Sequence, residues 1–175
     1  MLLNLSDVLN EQHKPIDVSV VLDLDAFSYG GEEFVFTDKS DVHLVIHHLK
    51  EKQFSINGEC SITVKSRCDR CLTPVEVAMD LIFDKKIDLI AAEGEELEGF
   101  DESYYINGYF LDVDQFIYGE MLMGWPTKIL CCEDCKGICN VCGQNLNLGS
   151  CDCEDTSLDP RMSVIQDIFK NFKEV

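Results

Sequence analysis

Seven of the chain's ten cysteines lie between Cys131 and Cys153, in the run CCEDCKGICNVCGQNLNLGSCDC. Two more form a separate C-x-x-C, Cys68 and Cys71 in RCDRCL, and Cys60 stands alone. Pairs of cysteines two or three residues apart, set among Gly and Asn, suit a tetrahedral metal site. A short gap lets two thiolates converge on one ion, and small neighbours permit the tight turn. Gly143 follows Cys142, where such a turn calls for a positive φ. Cys60 lacks any such spacing and reads as a small buried hydrophobe. His43 and His47 share one face of a strand and His48 follows them. None of the three lies within a cysteine cluster, and all read as solvent-facing.

The N-terminal residues MLLNLSDVLNEQHK carry Asp7 and Glu11 and no basic n-region, so no secretory signal is expected. Nor is there an apolar run of the length a membrane span needs. The expected compartment is therefore the reducing cytoplasm, where dense cysteine favours metal over disulfide. With 33 acidic against 14 basic residues, the formal net charge is −19. Such a field opposes nonspecific binding to nucleic acid, whose affinity comes largely from Lys and Arg on phosphates, and suits a basic protein partner.

The elements that must position the cysteines are mostly strands. Residues 1–15 read as a short lead-in in which Ser6 caps one turn. Apolar and polar residues alternate over Ile16 to Leu24, Asp41 to Leu49, Phe54 to Ser66 and Val75 to Asp84, with a shorter piece at Phe34 to Phe36. Asn57-Gly58 marks a bulge or an alternative hairpin turn in the third of these. Cys68 to Cys71 then falls at the turn of an antiparallel hairpin. Residues 91–102 (AAEGEELEGFDE) form an acidic loop. Asp112 caps a helix running to Gly124, with Gln115 in capping-box position and Val113, Phe116, Ile117 and Met121 on its inner face. A last helix over 160–172 opens with Asp159 as cap and Pro160 at its first position. The fold class is α+β: an antiparallel sheet, two main helices and a C-terminal cysteine-rich zinc module. The chain divides into a β region (1–90), the acidic loop (91–102), and a segment (103–175) holding both helices and a zinc-ribbon-like module.

The order CDRCL at 68–72, CCEDCKGICNVCGQNLN at 131–147, CDC at 151–153 and DPR at 159–161 resembles a bacterial family. It is the YceD family of large ribosomal RNA subunit accumulation proteins. The resemblance runs from about residue 54 to the C-terminus. It implies a role in the synthesis, processing or stability of 23S-type ribosomal RNA, with no established catalytic activity. The family's first late cysteine falls at Cys131; here Cys132 is a cysteine too, which leaves two thiols at one position.

Cys139 and Cys142 can meet Cys151 and Cys153 by closing the loop GQNLNLGS. That leaves Cys131 and Cys135 to join Cys68 and Cys71. Two other partitions stay open. Cys68 and Cys71 could join Cys139 and Cys142, or the late cysteines could hold a single ion and leave the first pair free. Filled by four thiolates, each of two Zn2+ ions would be structural and would contribute on the order of 10 kcal/mol to folding. The expected function is a non-enzymatic ribosome biogenesis factor that binds a basic ribosomal protein or assembly component, with ribosomal RNA met indirectly. A direct RNA-binding zinc module would use Lys65, Arg67 and Arg70. A thiol oxidoreductase would use Cys68 and Cys71, but a reactive C-x-x-C ordinarily opens a helix and strands flank this one.

Overall fold

The computed structural model describes residues 1–10, 14–50, 53–89 and 104–153. The acidic stretch 91–102 and the helix expected over 160–172, with Asp159 and Pro160, lie outside the described residues. The chain forms two compact units. One comprises Met1–Ser66 with Glu76–Thr127, the other Arg67–Val75 with Lys128–Val175.

The first unit is α+β with antiparallel sheets. Strand β2 (Ile16–Val20) pairs with β5 (Val42–Lys50), and β3 (Ala26–Tyr29) pairs with β4 (Glu32–Lys39). The β3–β4 turn is Gly30-Gly31, both at positive φ (61° and 87°), as a two-residue turn matching strand twist requires. Strand β6 (Gln53–Arg67) takes β4 and then β5, from Phe36↔Val64 through His43↔Glu59 to Lys50↔Gln53. Between those partners, at Ser40, the Ser40 amide donates to Ser61 O and the Ser61 amide to Ser40 Oγ, both at 2.9 Å. The serine hydroxyl thus fills the ladder where β4 gives way to β5. Strand β7 (Pro74–Asp88) also pairs with β6. Side-chain bonds Ser61–Asp80 (2.8 Å) and Gln53–Asp88 (2.7 Å) link the two by equal steps in opposite directions, as in an antiparallel hairpin.

Alternation works as the sequence suggests. Val42, Leu44 and Ile46 of β5, Ile56, Ile62 and Val64 of β6, and Met79, Leu81 and Phe83 of β7 are buried. The Asn57-Gly58 expectation is corrected: both residues stay in regular register, paired with Val45 and Leu44. Glycine is needed there for close approach. A Cβ on Gly58 would lie 2.0 Å from His43 O and 2.8 Å from the Phe83 ring.

The lead-in is corrected as well. Strand β1 (Leu2–Asn4) pairs with β9 (Phe110–Asp112), which also pairs with β8 (Ile106–Asn107). Leu5 and Val8 are fully buried. The first turn of α1 (Ser6–Leu9) has no capping bond from Ser6; instead the Ser6 amide donates to Asn4 Oδ1 at 2.8 Å. Helix α2 (Val113–Gly124) opens on Asp112, whose carboxylate accepts the Asp114 and Gln115 amides at 3.1 and 3.3 Å. Val113, Phe116, Ile117 and Met121 are buried beneath it. Trp125, just past the helix, packs against Phe27 and Phe34 with tilted rings, at centroid distances of 5.1 and 4.6 Å. No described helix is long and apolar enough to cross a membrane.

Candidate metal centre

Arg67 ends β6 and Pro74 begins β7, so residues 68–73 close the hairpin. The Cys68 amide donates to Thr73 O and the Leu72 amide to Cys68 O, each at 2.9 Å. This tight turn presents both sulfurs together. Asp69 and Arg70, between the cysteines, hold a second segment. The Asp69 amide donates to Ile129 O at 2.8 Å, and Asp69 Oδ2 accepts the Ile129 amide at 2.7 Å. Arg70 Nη1 donates to Cys135 O at 2.8 Å and to Glu133 O at 3.3 Å. The loop so held brings Cys131 Sγ to 3.6 Å from Cys71 Sγ, and Cys135 Sγ to 3.7 Å from Cys68 Sγ. A tetrahedral zinc with Zn–S of about 2.3 Å has S···S edges of about 3.8 Å, whereas a disulfide requires about 2.05 Å. The sulfur spacing therefore fits a shared ion. Cys68, Cys71 and Cys135 are buried, with Val75, Leu130 and Ile138 packed against them.

The second cluster is built on a short ladder. Leu146 N donates to Gly137 O at 2.9 Å, and Ile138 bridges Asn145. At its tip the Cys139 amide donates to Gln144 O at 2.8 Å and the Gly143 amide to Cys139 O at 2.9 Å. These are the bonds of the 68–73 turn repeated. Gly137 has φ of 79°, and a Cβ there would press to 3.2 Å from Arg70 O. Cys151 and Cys153 come to the same place, and the four sulfurs of Cys139, Cys142, Cys151 and Cys153 lie within 4.8 Å of one another. The same limit holds for Cys68, Cys71, Cys131 and Cys135.

Three polar side chains serve the first cluster from behind. Thr73 Oγ1 lies 3.1 Å from Cys71 Sγ and accepts Asn145 Nδ2 at 3.1 Å. Asn147 Nδ2 donates to Cys135 Sγ at 3.2 Å and to Asn145 Oδ1 at 3.0 Å, while Asn147 Oδ1 accepts the Lys136 amide at 2.8 Å. The sequence reading missed these roles, as it did those of Asp69 and Arg70. The signal available was the polar pair Asn145 and Asn147 within an otherwise cysteine-defined motif.

The thiols of each cluster are held apart in acidity. Burial pushes Cys68 up, but amide donors from Cys71, Cys131 and Arg70 outweigh it and bring the thiol down to about 6. Amides of Cys142 and Val141, with further thiol contacts, bring Cys139 to about 6. The Thr73 hydroxyl lowers Cys71. In contrast, contact with Cys135 and Cys71 raises Cys131, and contact with Cys142 together with burial raises Cys153 to about 12. Four sulfurs this close cannot all ionise in mutual repulsion; a divalent cation among them removes the obstacle.

All eight cysteines expected as ligands fall into these two clusters, which could hold metal ions. At the doubled position Cys131 supplies the clustered sulfur. The exposed Cys132 sulfur lies 3.8 Å from it, outside the four. Cys60 is buried in the first unit. His43 bonds Asp17 at 3.0 Å and is a member of neither cluster.

Among protein families, the model described as large ribosomal RNA subunit accumulation protein YceD matches residues 56–169. No curated protein and no solved structure matches the chain.

Proposed function

The chain belongs to the YceD family of large ribosomal RNA subunit accumulation proteins, and from that membership we propose a non-enzymatic, cytoplasmic ribosome biogenesis factor. It carries two structural Zn2+ ions and supports the accumulation of large-subunit ribosomal RNA by holding a basic ribosomal protein or assembly component. The two sets of four converging thiols support the metal reading. With every position filled by sulfur, neither ion keeps a place for water or substrate, so the ions hold the fold and do no chemistry.

The observation that carries the partner class is charge. Residues 91–175 hold five basic and seventeen acidic groups. Each zinc with four thiolates adds a further net −2. Such a charge balance attracts Lys- and Arg-rich protein and repels bare RNA. A direct RNA reader would lean on Lys65, Arg67 and Arg70, yet Arg70 is engaged with two backbone carbonyls. Redox use of Cys68 and Cys71 has no support from their setting at a hairpin tip.

The test is binding of the full chain to large-subunit ribosomal proteins and, separately, to naked large-subunit RNA. Protein binding should weaken sharply between about 0.1 M and 1 M salt, as the Debye length shrinks from about 10 to about 3 Å. It should also weaken when Glu95, Glu96, Glu98, Asp101 and Glu102 are neutralised. Tight binding to RNA alone, indifferent to those changes, would sink the proposal.

A further inference from the structure

The two clusters differ in how far the chain must close to build them. Cys139, Cys142, Cys151 and Cys153 lie within one short segment. By contrast, Cys68 and Cys71 meet Cys131 and Cys135 across about sixty residues, at a greater loop-closure cost. The segment that forms the local cluster also carries the groups that serve the split one. Asn145 and Asn147 lie between Cys142 and Cys151. Asn147 Nδ2 reaches Cys135 Sγ at 3.2 Å, and Asn145 Nδ2 reaches Thr73 Oγ1, itself 3.1 Å from Cys71 Sγ. The same loop therefore reaches one thiol from each half of the split cluster, Cys135 directly and Cys71 through Thr73. That loop is pinned by the Cys139–Gln144 bond at one end and by Gln144 Nε2 donating to Ser150 O (3.3 Å) near the other.

Resting on the metal reading above, we infer that the two sites load in order. Metal at Cys139, Cys142, Cys151 and Cys153 fixes the 143–150 loop, and Asn145 and Asn147 on that loop then position Cys71 and Cys135 for the second ion. Asn147 is the principal positioning residue. Its amide N–H donates to the Cys135 sulfur, while its carbonyl oxygen is anchored by the Lys136 amide. The local turn is built from its own segment: the Cys139 amide donates to Gln144 O at 2.8 Å and the Gly143 amide to Cys139 O at 2.9 Å, with no bond from residues 68–73 in that turn among the described residues.

The experiment is titration of the metal-free full chain with cobalt(II), following the sulfur-to-cobalt charge-transfer absorption. The wild-type chain should take up two equivalents. Cys68→Ser with Cys71→Ser should leave one equivalent bound with unchanged affinity. Cys139→Ser with Cys142→Ser should weaken the remaining split site about ten-fold or more, the scale on which outer partners act on metal affinity. Asn147→Ala should weaken the split site alone by a similar factor and shift its charge-transfer band to lower energy, because the sulfur lone pair loses its hydrogen bond. A merely structural role would not move that band. The local site's unchanged signal in the same variant reports that the module is folded, and Thr73→Val should reproduce the weakening from the other end of the network. Split-site affinity that is indifferent to loss of the local site, or to Asn147→Ala, overturns the order of loading while leaving two metal sites standing. Failure of the wild-type chain to bind cobalt overturns the metal reading itself, and the order with it.

Discussion

Leu72 and Gly143 hold the same place in two copies of one turn. Each follows the second cysteine of a C-x-x-C, and each donates its amide to the first cysteine's carbonyl at 2.9 Å. Each has a left-handed backbone, with φ of 58° and 74°. Glycine takes that conformation freely and leucine does not. The Leu72 side chain is exposed, so it gains little packing in return.

Leu72→Gly should therefore raise stability by about 0.5–1 kcal/mol, the relief of left-handed strain exceeding the added freedom of the unfolded chain. Gly143→Leu should cost about 1 kcal/mol through the backbone alone, because a Cβ there meets nothing within 4 Å. Urea midpoints of the zinc-loaded chain, compared at constant slope, check both signs.

Elemental analysis of the purified chain should return close to two zinc ions. Serine at any one of the eight clustered cysteines should lower that number or weaken retention against a chelator, and Cys60→Ala should leave it at two. Chelation should lower the melting temperature markedly, since folding and metal binding are linked. Stoichiometry and chelator retention that are both unaffected by Cys68→Ser would remove the split site.

Alkylation of the metal-loaded chain at mildly alkaline pH should modify Cys132 first. Its sulfur is exposed and lies outside both clusters, while its neighbours are engaged. Peptide mapping after brief iodoacetamide treatment checks this. Primary labelling at Cys131 would mean that Cys132 is the engaged thiol.

Burial pushes the Cys60 thiol up from an ordinary 9.0 to about 11. Between those values the unfolded chain has released this proton and the folded chain has kept it. The unfolded state thus binds fewer protons, and stability falls as pH rises from about 9 to about 11, by roughly 2 kcal/mol for this group. Below pH 9 both states hold the proton and the effect vanishes. In Cys60→Ala the difference from wild type should shrink by that amount across the window, measured by denaturation at each pH.

Gly58→Ala should be the costliest small change in the first unit, at least about 3 kcal/mol. A Cβ would sit 2.0 Å from a backbone oxygen, and neither β5 nor β6 can yield without breaking its ladder. Circular dichroism melts should show it; a drop of only a degree or two would contradict the close approach.

Asp69 and Arg70 hold the loop that carries Cys131 and Cys135, so their role is structural before it is electrostatic. Asp69→Ala or Arg70→Ala should each cost about 1–2 kcal/mol. Arg70→Lys should recover only part of the loss, since an ammonium cannot match the planar fork on two carbonyls. Metal retention at the split site, measured by chelator competition, should fall in the same rank.

What the sequence determined by itself was local. Cysteine spacing defined the pairs, because two or three intervening residues suffice to bring thiols together. Alternation defined the buried faces of β5, β6 and β7, because strand side chains alternate whatever the strand pairs with. Asp112 defined the start of α2, because a cap bonds amides two and three residues on. The tertiary structure decided what required distant partners. It brought Cys131, rather than Cys132, to Cys71, a choice between neighbours that spacing cannot make. It gave Asn147 a thiol to donate to and Arg70 two carbonyls to hold. It placed Phe83 and His43 O against Gly58, so a residue that resembles a turn signal serves close packing instead. It also recruited Leu2–Asn4 into a sheet with β9, a pairing across more than a hundred residues. A residue's own neighbours encode its conformation; its contacts depend on where chain closure delivers the other side.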